Sequence, residues 1–216
     1  MNRESGSETE YKMIEYYMSH PLYAVLVIAL ALAALFVLIK AIKAGNERAK
    51  RNRELMDKLH NENLLRNDFS ILTPDLIKSS DPEMLFKGIG LNLQKRVSDK
   101  TDMISEFNTL TEGEKYIYCI YTFIEDAEEK MSNFFKMNTK PLTDTALEAI
   151  NKVASGEFRD LFGFEYNAYD SENEDVSCIP SEIENKDKKA APFISDGTVC
   201  RLFGEYIKNN TGDFIR

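Results

Sequence analysis

Residues 22–39 read LYAVLVIALALAALFVLI. Apart from the hydroxyl group of Tyr23 the stretch is entirely apolar, and no Asp, Glu, Lys or Arg occurs between residues 16 and 39. An 18-residue helix rises about 27 Å at about 1.5 Å per residue, which is close to the thickness of the hydrocarbon core of a bilayer. We therefore predict a single transmembrane helix over residues 21–43.

Two other interpretations of this stretch fit less well. A buried core helix rarely needs eighteen consecutive apolar residues. A cleaved signal peptide is the stronger alternative, but its small-residue patterns, at residues 29–31 and 31–33, lie in the middle of the apolar run instead of at its end. The run is also long for a signal peptide, and a basic segment follows it. A retained span is therefore preferred.

The charges on either side of the span predict its orientation. The first twenty residues hold two basic residues, Arg3 and Lys12, against four glutamates. Basic residues crowd the other side and form what we call the basic collar: Lys40, Lys43, Arg48, Lys50, Arg51 and Arg53. Lys and Arg next to a span stay on the cytoplasmic side. We expect a protein of the cell membrane, with residues 1–20 outside and the C-terminal part in the cytoplasm.

The net charge of −9 is unevenly distributed. Residues 40–66 contain eight Lys/Arg and four Asp/Glu, a net charge of +4, whereas residues 67–216 contain seventeen and twenty-eight, a net charge of −11. The collar is suited to anionic lipid headgroups. Residues 44–67 are predicted to form a juxtamembrane stalk helix, and Leu55 with Leu59 gives weak support for a homo-oligomer through the span or the stalk. The acidic remainder argues against direct binding of nucleic acid, or of membrane, by the domain itself.

Residues 68–216 predict a compact acidic α-helical domain, because capping signals recur and no long stretch alternates with period two. Thr73 and Asp81 each precede a proline and an acid, which is typical of a helix start. Thr111 and Glu114 form a capping box at the start of a central helix over residues 111–137. Further helices are expected over residues 143–156, 157–164 and 196–209, with Thr143 capping the first of them. Residues 165–191 carry eight acids and predict a long solvated loop.

The sequence contains no recognisable catalytic or metal-binding motif. Its two histidines, His20 and His60, lie far from each other and from cysteine, which disfavours a metal centre. The segment from residue 170 to 175 starts like a calcium loop but has Asp175 where the turn glycine belongs. Three cysteines without motif spacing indicate reduced, inert thiols. We assign no catalytic residue, no cofactor and no metal ligand, which favours a non-enzymatic role.

Residues 110–154 resemble a bacterial domain family of mostly unknown function whose named member is a DNA-mimic protein. The pattern consists of a Leu-x-x-Gly-Glu helix start at residues 110–114, a tyrosine-rich helix with acids at residues 116–129, Phe-Phe-x-x-Asn at residues 134–138, and a helix that ends in a small-residue turn at residues 146–156. The family's Asn-Asn-Gly-Gly turn before the two phenylalanines is replaced here by residues 128–133. The resemblance implies a helical, acidic, protein-binding domain whose carboxylates imitate phosphate charge.

The leading hypothesis is a single-pass membrane protein that presents its cytoplasmic acidic domain to a protein partner of basic character. The candidate contact residues are acids on the central helix and in the predicted loop: Glu125, Asp126, Glu129, Glu172, Glu174 and Asp175. One alternative is a membrane-anchored enzyme with an unrecognised site, which predicts a polar pocket containing acids of perturbed pKa. Another is a structural subunit of a membrane complex, which predicts an exposed apolar patch.

Overall fold

A computed structural model describes residue 15 and residues 21–128, 130–169 and 180–215, and every regular element among them is helical. The chain divides into two units, residues 1–59 and 60–216, which are described separately below. The described part contains ten α-helices: α1 (Pro21–Asp68), α2 (Pro74–Ser79), α3 (Pro82–Ser98), α4 (Met103–Asn108), α5 (Glu112–Ala127), α6 (Met131–Met137), α7 (Leu142–Val153), α8 (Glu157–Tyr169), α9 (Pro180–Ser195) and α10 (Thr198–Asn209). A short 3₁₀ helix, Thr211–Asp213, follows α10.

Helix α1 contains the apolar stretch, and it is long and apolar enough to cross a membrane. Its most apolar window of eighteen residues has a mean hydropathy of 2.9, and none of that window is buried. Large side chains such as Leu30, Leu35 and Phe36 are more than half exposed. Gly45 and Asn46, at the junction of the predicted span and stalk, both lie inside α1.

The unit of residues 60–216 is built around α5, whose side chains Ile117, Ile120 and Phe123 have no exposed surface. Helices α3, α6 and α7 pack against α5, and α10 packs closely along α3. At the crossing of α3 and α10, a Cβ atom at Gly204 would overlap the backbone of Pro82. Glycine at this position therefore allows the two backbones to approach. On α6 and α8 the core contains a cluster of phenylalanines, Phe134, Phe135, Phe158 and Phe162.

The predicted capping signals at three helix starts are confirmed. The side chains of Thr73 and Asp81 accept hydrogen bonds from the amides of Leu76 and Met84, three residues on. Thr111 and Glu114 form the reciprocal capping box, because Thr111 Oγ1 accepts from Glu114 N at 3.1 Å and Glu114 Oε2 accepts from Thr111 N at 2.9 Å. These local bonds satisfy amides that a helix start leaves without a partner inside the helix.

The central helix differs from its prediction. Instead of one helix over residues 111–137, the structure has α5, a turn and α6, with Glu128 at the end of α5 in a positive-φ conformation (φ 45°). A residue with a β-carbon seldom adopts this conformation. The capping box and the apolar periodicity therefore predicted an uninterrupted helix. The prediction that a helix starts at Thr143 is also wrong. Pro141 is the N-cap of α7, and Thr143 is buried in its first turn.

The predicted loop over residues 165–191 is too long at both ends. Helix α8 continues to Tyr169, and α9 occupies Pro180–Ser195. Both extensions pack against the core, since Tyr166 and Tyr169 of α8 are partly buried against it and Ala190 of α9 is fully buried. Polar composition suggested a solvated segment, whereas burial of a sparse apolar face stabilises these helices. Helix α4 was not predicted at all, because its six residues are too few to show a clear periodicity.

Candidate functional site

The acids predicted as partner contacts on α5 do not form one exposed face. Glu125 is exposed, but Asp126 is half-buried, and its Oδ2 accepts a hydrogen bond of 2.7 Å from Asn138 Nδ2. The same amide donates to the carbonyl oxygen of Phe134. Asp126 therefore holds the segment between α6 and α7 in place, and Glu125 is the more exposed of these two acids. Glu129 lies outside the described residues.

The remaining predicted contacts, Glu172, Glu174 and Asp175, also lie outside the described residues. The acids beside them on the flanking helices take part in the fold. Glu165 at the end of α8 and Asp187 on α9 are both buried, although the sequence placed them in a solvated loop. The predicted acidic loop therefore contributes buried carboxylates to the core.

The basic collar lies along α1, and all six of its side chains are exposed. Lys40 Nζ lies 4.7 Å from the centre of the Phe36 ring, and Lys50 Nζ lies 3.7 Å from Glu54 Oε1. Such contacts leave long cationic side chains accessible from several directions.

A buried polar cluster joins α6, α8 and α9. Asp187 accepts hydrogen bonds from the backbone amide of Ser132 at 2.8 Å and from its hydroxyl at 2.7 Å. Ser132 lies in the first turn of α6, so Asp187 acts as an N-terminal cap supplied by another helix. Lys136 Nζ donates to Ser132 Oγ at 3.2 Å, which brings a positive charge to the edge of the cluster.

Glu165 is the unusual member of this cluster. Its side chain is 0% exposed, and neither carboxylate oxygen has a hydrogen-bond partner among the described residues. Burial, and then the negative charge of Asp187, raises the pKa of Glu165 to about 7, and Lys136 and Lys186 oppose that shift. An unpartnered carboxyl group without exposed surface has no direct access to a substrate. Its burial lowers the stability of the fold when the group is ionised.

Sequence reasoning missed both buried carboxylates, although a signal was present. Glu165 continues the inward face of α8, since it follows Phe158, Leu161 and Phe162 at helical spacing. Asp187 lies three residues before Ala190, which is buried on α9. A helical projection of residues 157–169 would have placed Glu165 inside. The high density of acids concealed the sparse apolar periodicity.

An open apolar groove lies between α4 and the start of α7, and we call it the methionine groove. Its volume is about 280 Å³. It is lined by Val97, Met103, Ile104, Phe107, Tyr118, Met137, Asn138, Thr139, Lys140, Pro141 and Leu142. Three of these apolar side chains remain mostly outside the core, with Met103 56% exposed and Ile104 and Met137 each 68% exposed. No local pattern marks Met103, Ile104 and Met137 as neighbours, and Met137 occupies an unspecified position of the Phe-Phe-x-x-Asn segment.

The two described cysteines are buried and form no disulfide. Burial raises the pKa of the Cys200 thiol to about 11 and that of Cys119 still further. Because the thiolate is the reactive form, these side chains behave as small apolar residues. Cys178 lies outside the described residues. Within the described ranges, no three His, Cys, Asp or Glu side chains are grouped so that they could hold a metal ion.

Comparison of the chain with protein-family models, with curated proteins and with solved structures finds no match. The resemblance of residues 110–154 to the DNA-mimic-like family therefore stays a prediction. Of the residues that carry it, Phe134 and Phe135 are buried. Phe134 meets Phe123 edge to face at 5.4 Å between ring centres, and Phe135 meets Phe162 at 5.0 Å. The double phenylalanine thus has a structural role in this chain.

Proposed function

We propose that this chain is a single-pass membrane protein that presents its helical unit, residues 60–216, to another protein. One observation carries the proposal: the described apolar side chains of the stretch in α1 are exposed, whereas the unit of residues 60–216 buries most of its own. Water is a poor environment for an apolar helix surface on every side, and lipid is a good one. The exposed stretch therefore supports an anchor.

The proposed orientation places residues 60–216 in the cytoplasm. The basic collar follows the apolar stretch directly, whereas glutamates outnumber basic residues before it. Basic residues near a span are retained on the cytoplasmic side. On that side the collar also meets the anionic leaflet, to which each lysine or arginine close to the surface contributes about 1 kcal/mol of binding.

Membrane insertion is tested by alkaline carbonate extraction of membranes that contain the full chain. We expect the protein to stay in the membrane pellet, and the double variant Leu30→Arg/Leu35→Arg to lose membrane retention, because each arginine near the centre of a span costs roughly 2.5–3.5 kcal/mol. The matched control is Leu55→Arg/Leu59→Arg, with the same change outside the apolar stretch. Extraction of the unaltered chain into the supernatant would contradict the anchor.

Orientation is tested separately by adding protease to intact and to permeabilised cells. The proposed topology protects a C-terminal epitope in intact cells and exposes it only after permeabilisation. Cleavage of residues 60–216 in intact cells would reverse the proposed orientation and leave the anchor unaffected.

The partner role rests on the acidic character of residues 67–216 and on the exposed carboxylate of Glu125 at the end of α5. A partner with a basic surface is the complementary choice, and such contacts weaken as salt rises. The test is crosslinking of the full chain in intact cells, with Glu125→Lys compared with Glu205→Lys, which changes an exposed acid on α10. Loss of a crosslinked partner with Glu125→Lys alone supports the proposal. Equal retention in both variants excludes this face.

A further inference from the structure

Helix α9 is attached to the rest of the unit by few apolar contacts. Three of its described side chains are buried, and these are a carboxylate, a methyl group and one large apolar side chain: Asp187, Ala190 and Ile194. Pro192 lies inside the helix and has no amide hydrogen, which removes one helical hydrogen bond. Because most of the stability of a helix in a folded protein comes from packing of its apolar face, α9 is weakly held.

Helices α6 and α8, which α9 packs against, are anchored more firmly. Each of them buries three large apolar side chains: Met131, Phe134 and Phe135 on α6, and Phe158, Leu161 and Phe162 on α8. Their rings contact one another, with 5.0 Å between the centres of Phe135 and Phe162. Separation of α9 would leave these contacts between α6 and α8 intact, so α9 is the element that can leave at the lowest cost.

A buried carboxylate provides the polar attachment of α9. Asp187 accepts hydrogen bonds from the amide and the hydroxyl group of Ser132, at 2.8 and 2.7 Å. The ring of Phe193 adds a contact with Phe158 at 5.4 Å between ring centres. With so little apolar burial, the attachment of α9 depends strongly on the electrostatic surroundings of Asp187.

Glu165 on α8 changes those surroundings when it ionises. Its side chain has no exposed surface, and neither oxygen has a hydrogen-bond partner among the described residues. A protonated Glu165 leaves one negative charge at the contact, on Asp187, where Ser132 donates two hydrogen bonds. An ionised Glu165 adds a second buried negative charge that no described group stabilises by a hydrogen bond. Water could stabilise this charge only if α9 moved away.

The other charged groups around Glu165 lie on the three helices that pack against α8. They are Asp187 and Lys186 on α9, Lys136 on α6 and Asp144 on α7. The two lysines favour ionisation, but neither donates a hydrogen bond to Glu165. Asp144 accepts a hydrogen bond of 2.6 Å from Tyr166 Oη, so it is held by the residue next to Glu165. Burial and the charge of Asp187 outweigh the lysines.

We infer that α9 is a pH-dependent element, which packs on α6 and α8 while Glu165 is protonated and separates from them when Glu165 is ionised. Separation gives water access to the Glu165 carboxylate and removes Asp187 from its side. The cost is the small apolar contact of α9 and the cap at the start of α6. This inference does not depend on the proposed membrane anchor or on the proposed partner.

The direction and size of the effect follow from proton linkage. The pKa of Glu165 is about 7 with α9 in place, because of burial and then the charge of Asp187, and returns toward 4.5 when water reaches the group. The packed state therefore binds the proton more tightly. Packing of α9 is most favourable below pH 4.5 and is weakened as the pH rises through 7. Between pH 6 and pH 8 the ratio of separated to packed α9 should rise about tenfold.

Amide hydrogen exchange of the full chain in detergent micelles measures this ratio separately for each helix. We would compare pH 6 with pH 8, with exchange times scaled to the intrinsic exchange rate at each pH. We expect the protection of α9 to fall about tenfold at pH 8, whereas α3 and α5 keep theirs. An equal loss of protection in α5 would mean that the whole unit opens, and unchanged protection of α9 would mean that it stays packed. Either result overturns the inference.

Two variants test the acids themselves. Glu165→Gln should make the protection of α9 independent of pH, and its matched control Glu205→Gln, at an exposed acid on α10, should keep the tenfold change. Asp187→Asn retains an oxygen that can accept from Ser132 but has no charge, so it should reduce the change. A tenfold change that persists in Glu165→Gln would overturn the role of Glu165. If Glu165→Gln does not fold, the comparison of α9 with α5 in the unaltered chain and in Asp187→Asn still decides.

Discussion

Helices α1 and α5 are both rich in apolar side chains, yet they differ in how far those side chains are buried. In α1, Leu30, Leu35 and Phe36 are exposed, and apolar residues occupy every side of the helix. In α5, Ile120 and Phe123 are fully buried, whereas Glu125 on the same helix is exposed. Apolar residues confined to one face are covered by neighbouring helices. A helix with apolar residues on all faces needs surroundings that are apolar on all sides, and lipid provides them.

The comparison also separates two sources of stability. The unit of residues 60–216 depends on packing between side chains, such as the contacts of Phe123 with Phe134 and Phe162 at 5.4 and 5.2 Å between ring centres. The apolar stretch of α1 shows no burial within the protein. Substitutions in α5 should therefore change the folding of the unit, whereas substitutions in the apolar stretch of α1 should change retention in the membrane.

The largest expected effect on folding comes from Phe123→Ala. Removal of this ring leaves a cavity among three aromatic side chains, Phe134, Phe158 and Phe162, and should lower the free energy of unfolding by about 3–5 kcal/mol. Phe36→Ala, the same change at an exposed position of α1, should leave the unfolding of the unit unchanged. The measurement is urea unfolding of the full chain in detergent micelles, followed by near-ultraviolet circular dichroism. Similar losses in both variants would contradict the proposed separation of the two regions.

The buried carboxyl group of Glu165 should make the stability of the unit depend on pH. Its pKa is raised to about 7 in the folded protein from an ordinary value near 4.5, so the folded state holds this proton more tightly than the unfolded state. The contribution of Glu165 to the stability of the unit is therefore greatest below pH 4.5 and is lost as the pH rises through 7. The difference is at most about 3 kcal/mol.

Glu165→Gln removes the titrating group and should flatten this part of the pH profile, with higher stability than the unaltered chain at pH 8. The matched control is Glu205→Gln, at an exposed acid on α10. Urea unfolding at pH 5, 6, 7 and 8 makes the comparison. A profile that keeps its slope in Glu165→Gln would show that another group is responsible.

Two glycines provide a pair of substitutions with opposite expected signs. At Gly204 a Cβ atom would overlap the backbone of Pro82, and the rigid backbone cannot move aside as a side chain can. Gly204→Ala should therefore destabilise the unit by about 1–3 kcal/mol. At Gly163, inside α8, a Cβ atom would meet open space, so Gly163→Ala should stabilise by up to about 1 kcal/mol through helix propensity. Thermal unfolding measures both. Stabilisation by both alanines would mean that the α3–α10 crossing is looser than described.

Much of the fold could be predicted from the sequence where a feature depends on a few neighbouring residues. The apolar stretch, the caps at Thr73 and Asp81 and the capping box at Thr111 are such features, because each is decided within one or two turns of helix. The turn at Glu128 was missed, since it interrupts a regular apolar pattern. Its positive φ depends on how α6 packs, which no local motif records.

The candidate site could be predicted much less well. Exposure of Glu125 follows from its place on an amphipathic helix, but the bond from Asn138 to Asp126 joins residues twelve positions apart. The methionine groove is assembled from α3 to α7, and nothing in the residues around Met103 or Met137 marks them as neighbours. Long-range contacts of this kind depend on the packing of the whole unit. A sequence without recognisable motifs gives little information about such long-range contacts.

The smallest expected effect tests a feature that local sequence does decide. Thr111→Ala removes the hydroxyl that accepts from Glu114 N and donates to the carbonyl oxygen of Asp213 at 3.0 Å, and should cost about 0.5–2 kcal/mol of stability. Thr111→Ser keeps both bonds and should stay close to the unaltered chain. Hydrogen exchange at the first amides of α5 locates the effect, since loss of the cap exposes them first. If the serine variant loses as much stability as the alanine variant, the methyl group of Thr111 matters more than its hydroxyl. The start of α5 would then be stabilised by packing of the methyl group and not by the cap.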